Sequence, residues 1–199
     1  MMTMHANITG VILAGGRSTR MGGKDKGLVQ VGDKTLYQHV LGRLIPQVSQ
    51  VIISANRNQQ CYQQSGLEVV GDLTADYPGP LAGILAGLTY ARTPWIVCAP
   101  CDVPDFPLNL VEQLWLHKGN ALASYASDGE REHPTFALLH TSLAEELTRY
   151  LARGERKLML FMAAVGAQQV VFSGQQDAFR NLNTPEDCQR WQQEKGGDQ

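Results

Sequence analysis

Ile8-Thr9-Gly10-Val11-Ile12-Leu13-Ala14-Gly15-Gly16 begins as an apolar run and stops on two glycines. The run is too short for a helix and lacks the alternation of a strand with one wet face. It predicts a strand covered on both faces, as in a parallel sheet. The pattern returns at Val51-Ile52-Ile53, at Leu67 to Val70 and at Trp95 to Ala99. Helical spacing fills the gaps. Leu36, Val40 and Leu44 recur every fourth position before Pro46, and Ile84, Leu85 and Leu88 follow the Pro78-Gly79-Pro80 turn.

The second half is less regular. Leu110 and Leu114 predict a short helix; Ala121 to Ala126, Thr135 to Leu139 and Val170 to Phe172 predict strands. Ser142-Leu143-Ala144-Glu145 fits a capping box for a helix that ends at Gly154. Thr184, Pro185, Glu186 and Asp187 fit the start of the last helix. Strands alternating with helices imply an α/β fold, Rossmann-like and three-layered, with a mostly parallel sheet and helices on both faces. No repeat, linker or break in composition divides residues 1–199, so one domain is expected. Ligands of such sheets bind beyond the carboxyl ends of the strands. Three strands end there on residues with chemistry: Gly15-Gly16, Gly71-Asp72 and Cys101-Asp102.

Composition narrows the classes. The 199 residues are 43% hydrophobic and 18% charged, which is too apolar for disorder. A chain of this length buries about 70% of its unfolded surface and needs no metal or disulfide staple. Net charge is −2, without the broad basic footprint of a nucleic-acid binder. Neither a signal h-region nor a run of about 20 apolar residues is visible, so a soluble, cytoplasmic protein with reduced thiols is expected.

Beyond Leu13 the chain reads Ala14-Gly15-Gly16-Arg17-Ser18-Thr19-Arg20-Met21-Gly22-Gly23-Lys24-Asp25-Lys26-Gly27. It is neither of two familiar phosphate loops. Arg17 replaces the second glycine of the dinucleotide fingerprint, and Asp25 stands where a P-loop needs Ser or Thr. Glycines still let backbone N–H groups approach an anion closely. Arg17, Arg20, Lys24 and Lys26 add four cations against the single acid Asp25, a density suited to a triphosphate rather than to a plain surface loop.

This stretch resembles the L-x-G-G-x-[ST]-x-R-M-G-x-[DN]-K signature of nucleotidyltransferases, with one residue more between Gly22 and Asp25-Lys26. Within them it is most similar to the molybdenum cofactor guanylyltransferase (MobA) family. Further matches are Pro80-Leu81-Ala82-Gly83, Cys101-Asp102, Asp128-Gly129-Glu130-Arg131 with His133-Pro134, Gly154-Glu155-Arg156-Lys157 and Asn181-Leu182-Asn183-Thr184-Pro185. The resemblance implies GMP transfer from GTP to the terminal phosphate of molybdopterin, with pyrophosphate released. It implies catalytic roles for Arg20, Lys26 and Asp102, with Asp102 holding Mg²⁺. The nucleotide would meet Leu13, Ala14, Gly15, Gly16 and Lys26 in the first loop. It would also meet Ser54, Asn56, Asp72, Gly79, Gly83 and Asp102. Arg156, Asn181 and Asn183 would hold the pterin, so that the first half serves mainly the nucleotide and the second mainly the pterin. Partners implied are GTP, molybdopterin, cofactor-delivery proteins and apo-molybdoenzymes met transiently, with no nucleic acid and no membrane.

Alternatives stay open at this level. Transfer of CMP to the same pterin is one, since base choice depends on few contacts; a non-catalytic nucleotide- or cofactor-binding module is another. Asp102 reads equally as a surface acid or helix cap, and as an exposed one whose loss would open no cavity. Family members tend to carry Asn at both polar positions of the second strand's end, where this chain has Ser54 and Asn56. Arg153, Arg156 and Lys157 read by composition as solvated charges. Cys98-Ala99-Pro100-Cys101 closes a strand rather than opening a helix, and Cys61 and Cys188 lie at no ligand spacing, so buried thiols fit better than a redox or zinc site.

Overall fold

The structure, a computed structural model, describes residues 4–14, 23–73 and 79–197. The strands in chain order are β1 (Ile8–Leu13), β2 (Gln30–Val31), β3 (Lys34–Thr35), β4 (Gln50–Ser54) and β5 (Glu68–Val70). Then come β6 (Trp95–Pro100), β7 (Ala123–Ser127), β8 (Glu132–His140) and β9 (Gln168–Val171). The helices are α1 (Leu36–Leu44), α2 (Gln59–Gln63), α3 (Pro80–Tyr90), α4 (Leu110–His117), α5 (Leu143–Ala152), α6 (Leu158–Ala164) and α7 (Pro185–Gly196).

Seven strands form one sheet in the order β5-β4-β1-β6-β8-β7-β9, while β2 and β3 pair as a small separate hairpin. β5, β4, β1 and β6 run parallel, and β7 runs parallel to β9. Only β8 is reversed, antiparallel to β6 and β7. The carboxyl ends of β1, β4, β5, β6 and β7 therefore share one edge of the sheet with the start of β8. That shared edge is what makes a site.

Both faces are covered, as the unalternated apolar runs require. Ile8 and Ile12 of β1 pack with Val40 and Leu44 of α1 and with Leu110 and Leu114 of α4. Val11, pointing the other way, packs with Ile84 and Leu88 of α3, Leu147 of α5 and Phe161 of α6. Each such side chain, fully buried, contributes about 1.5–3 kcal/mol relative to exposure. A third cluster joins Val31 and Leu36 to Leu182, Cys188 and Trp191, fixing α7 against the hairpin.

Two helix ends separate local chemistry from context. Thr184 forms the expected cap: its Oγ1 accepts the Asp187 N–H at 3.1 Å, and Asp187 Oδ2 accepts the Thr184 N–H at 3.1 Å. Ser142 does not. Its backbone is already helical (φ −60°, ψ −18°), and its hydroxyl and N–H both meet Nδ1 of His140, at 2.8 and 3.2 Å. Gly154 ends α5 as expected, at φ +86° with its N–H on the Leu151 carbonyl at 3.0 Å.

Candidate active site

The end of β1 is fastened to both neighbouring strands. Ala14 N–H donates to the Ser54 carbonyl at 2.8 Å and Cys101 N–H to the Leu13 carbonyl at 3.1 Å. Gly15, Gly16 and Arg20 lie outside the described residues. Leu13, Ser54 and Gly83 converge beside this junction. A Cβ at Gly83 would stand 3.0 Å from Ser54 Oγ and 3.1 Å from Leu13 Cδ2, so a larger residue there would displace both. Ser54 is buried, 3% exposed. Gly79 caps α3 at φ +104°, a backbone that glycine adopts without strain. Asn56 and Asp72, from the ends of β4 and β5, form a reciprocal pair. Asn56 Oδ1 accepts the Asp72 N–H at 2.7 Å while Nδ2 donates to Asp72 Oδ2. Burial raises the Asp72 carboxyl above its ordinary value, against the lowering effect of the Asn56 amide.

A second cluster draws on distant parts of the chain. Lys26 Nζ donates to Asp102 Oδ2 at 3.3 Å and to Asn183 Oδ1 at 2.9 Å. Asn181 Nδ2 donates to the same Asp102 oxygen at 3.2 Å. Backbone bonds hold these side chains in register. Leu182 N–H donates to the Asp102 carbonyl at 2.9 Å, and Asn183 N–H to Asp187 Oδ2, inside the α7 cap, at 2.9 Å. Asp102 is not the exposed strand-end acid of the sequence reading. It is 6% exposed, because the chain before α7 folds back over the end of β6.

Asp102 suits a hard cation. It is an oxygen donor whose Oδ1 has no hydrogen-bond partner among the described residues, and Mg²⁺ is held through one or two carboxylates plus substrate phosphates. Among the described residues there is no cluster of three or more His, Cys, Asp or Glu able to cage a metal. A site completed by a triphosphate fits this donor set better than an all-protein one.

Other motif residues support the edge. Asp128 Oδ2 pairs with His133 Nε2 at 2.7 Å, while Oδ1 accepts the Glu130 and Arg131 N–H groups at 2.9 and 2.8 Å. The His133 bond and then these N–H groups hold the Asp128 carboxyl down at about 2. His133 stacks on Phe179 at 4.7 Å, just ahead of Asn181. Arg156 stands beyond the end of α5, where Nη1 donates to the Leu151 and Glu155 carbonyls at 2.9 and 2.7 Å. Cys98 and Cys101 are buried free thiols in the cores of opposite sheet faces, and burial pushes both thiols up. Neither has the exposure or the lowered pKa of a redox thiol.

A mostly parallel sheet covered by helices on both faces, with a Lys–Asp–amide cluster at its carboxyl edge, defines an α/β protein of the kind that binds ligands at that edge. The model of the MobA-like NTP transferase domain matches residues 10–182. A molybdenum cofactor guanylyltransferase of Serratia proteamaculans is 69% identical over 193 residues, 97% of this chain and 98% of that one. One of Yersinia pestis (strain Pestoides F) is 58% identical over 98% of this chain and all of its own. The crystal structure of molybdopterin-guanine dinucleotide biosynthesis protein A from Archaeoglobus fulgidus superposes with a TM-score of 0.75 at 25% identity, covering 95% of this chain and 99% of that one. The chain belongs to the molybdenum cofactor guanylyltransferase family, and is thus a nucleotidyltransferase. No helix among the described residues is long and apolar enough to cross a membrane.

Proposed function

We propose that the protein transfers GMP from GTP to the terminal phosphate of molybdopterin, forming the guanine dinucleotide cofactor and pyrophosphate. The observation that carries this reading is the meeting of Lys26, Asp102, Asn181 and Asn183 at the carboxyl end of β6. A phosphate oxygen of the pterin attacks the α-phosphorus of GTP in line. The bond to the bridging oxygen of the β-phosphate breaks, and pyrophosphate departs on the far side. The nucleophile is already ionised near neutral pH, so the reaction asks the protein for positioning and charge neutralisation rather than a general base.

Lys26, with Arg20 and the N–H groups of the glycine loop, neutralises the triphosphate. Asp102 would hold Mg²⁺, which when bound would offset the charge of the phosphates. Asn181 and Asn183 orient the groups around Asp102 and Lys26, and Asp72 with Asn56 faces the nucleoside. GTP and molybdopterin are the substrates, and cofactor-delivery proteins and apo-molybdoenzymes are met transiently in the cytoplasm.

The test is incubation of purified protein with Mg²⁺, molybdopterin and either GTP or CTP, followed by mass identification of the product. The guanine dinucleotide and pyrophosphate are expected with GTP alone. A cytosine product, or binding without pyrophosphate release, would replace this reading.

Arg156 provides a separate check on where the pterin lies. Arg156→Ala is expected to raise the KM for molybdopterin while GTP affinity stays within about twofold, since it removes no triphosphate contact. Titration of each ligand separately decides the matter. A tenfold loss of GTP affinity with pterin affinity unchanged would place Arg156 on the nucleotide side.

A further inference from the structure

The acid that interrupts the basic loop is buried beneath the lysine it precedes. The Asp25 side chain is 2% exposed. Its Oδ1 accepts the Tyr62 phenol at 2.7 Å and the Gly27 N–H at 3.3 Å. Its Oδ2 accepts Asn58 Nδ2 at 3.2 Å and faces Arg57 Nε at 4.0 Å. Every one of these side chains comes from the segment after β4 that begins at Asn56.

Several independent features serve this one contact. Asp25 caps the short 3-10 turn Lys26–Leu28, so its carboxylate fixes the backbone from which Lys26 projects. Asn58 is the one non-glycine residue at positive φ among the described residues, at +54°, and its amide reaches Asp25 from that left-handed backbone. Such an outlier persists only where its surroundings determine it. Tyr62 is fully buried, and burial followed by the Asp25 bond pushes its phenol well above the ordinary range. A Cβ at Gly27 would stand 2.4 Å from the Tyr62 hydroxyl, so only glycine lets the turn lie on the phenol. Burying a carboxylate is costly, and an apolar contact would hold a loop down without that cost.

We propose that Asp25 is a positioning residue for nucleotidyl transfer: anchored by Tyr62 and Asn58, it fixes the turn that aims the Lys26 ammonium at Asp102 and Asn183. This rests on the role given above to Lys26. Long lysine side chains lose much rotamer freedom when held. A rigid base for Lys26 removes the backbone's share of that disorder before GTP arrives, and a preorganised cation is worth more in the transition state than one that must be ordered there.

The test is a double-mutant cycle on the full-length enzyme, with kcat, KM for GTP and thermal unfolding measured for each variant. Asp25→Asn keeps the shape but turns an acceptor into an amide NH₂ facing the Asn58 donor. It is expected to lower kcat/KM about tenfold, and less than twofold when Lys26 is already Ala, because the two changes remove one function. Tyr62→Phe removes only the hydroxyl; a smaller loss, likewise absent in the Lys26→Ala background, supports the proposal even if Asp25→Asn fails to fold. Equal fold-losses in both backgrounds, or full activity in folded Asp25→Asn, overturn it. Wild-type rates in Lys26→Ala would overturn the role of Lys26 itself, and the proposal with it.

Discussion

Asp102→Ala is expected to lower nucleotidyl transfer by at least about a hundredfold, the scale seen when one electrostatic stabiliser of a transition state is removed. Among the described residues the carboxylate is the one acid that meets both Lys26 and Asn181, at 3.3 and 3.2 Å. Its loss removes the proposed Mg²⁺ ligand and the counter-charge of Lys26 together. Because Asp102 is buried at 6% exposure, Ala also leaves the Asn181 amide without its acceptor and the Lys26 ammonium with the Asn183 oxygen alone. A drop in unfolding temperature should therefore accompany the lost activity, since an orphaned polar group costs about 1–3 kcal/mol. Asp102→Asn separates the effects: it retains an acceptor oxygen and the side-chain volume, and should recover much of the stability but little of the turnover. Steady-state rates at saturating and limiting Mg²⁺ beside calorimetric unfolding supply the check. Near-normal turnover of Asp102→Ala at limiting Mg²⁺ would remove Asp102 from the metal's ligands.

What the sequence disclosed about this region, and what it withheld, divides along physical lines. The parallel half was legible because β1, β4 and β6 are buried on both faces and carry unbroken apolar runs. The order β5-β4-β1-β6 then puts their carboxyl ends together whatever the loops do. Reversal of β8 was not legible, for a buried strand reads alike in either direction. Helix α6, seven apolar residues from Leu158 to Ala164, is too short to display a period. Helix α2 is five residues held largely by Tyr62, whose ring packs edge-on against Tyr37 at 4.9 Å.

The candidate site shows the same division. Lys26, Asp102, Asn181 and Asn183 were all marked by motif resemblance, but nothing in their spacing places residues 181–183 over the end of β6. That depends on the Leu182 bond to the Asp102 carbonyl and on α7 packing through Trp191. Asp25 was visible as one acid among four cations and as the acid before the lysine of the motif. Its importance lies in Tyr62 and Asn58, more than thirty residues away, and pattern reading has no access to such a partner. The capping box at Ser142 failed for a related reason. The local motif was present, yet His140 at the end of β8 engaged the hydroxyl first.

Lys26→Ala is expected to lower kcat/KM for GTP about ten- to a hundredfold, the effect of losing a charge-assisted contact of about 1.5–3 kcal/mol. The fall should be shared between the two parameters. A cation on the triphosphate binds the ground state, so KM rises; as pyrophosphate separates, it also meets growing charge on the leaving group, so kcat falls. The surroundings of Lys26 sharpen the expectation. Its side chain is only 26% exposed and its Nζ already lies between an acid and an amide oxygen, so its direction is set before substrate enters. Lys26→Arg should recover only part of the loss, because a planar guanidinium cannot reproduce the 2.9 Å contact to Asn183 and the ion pair to Asp102 from the same turn. Stability should also fall in Lys26→Ala, since the buried Asp102 carboxylate is left with the Asn181 amide alone and without its counter-charge. Initial rates across GTP concentration, with GTP affinity measured by calorimetry without pterin, resolve binding from chemistry. If KM and kcat are both unchanged, Lys26 points into solvent during turnover, and the basic loop serves no purpose in neutralising the triphosphate.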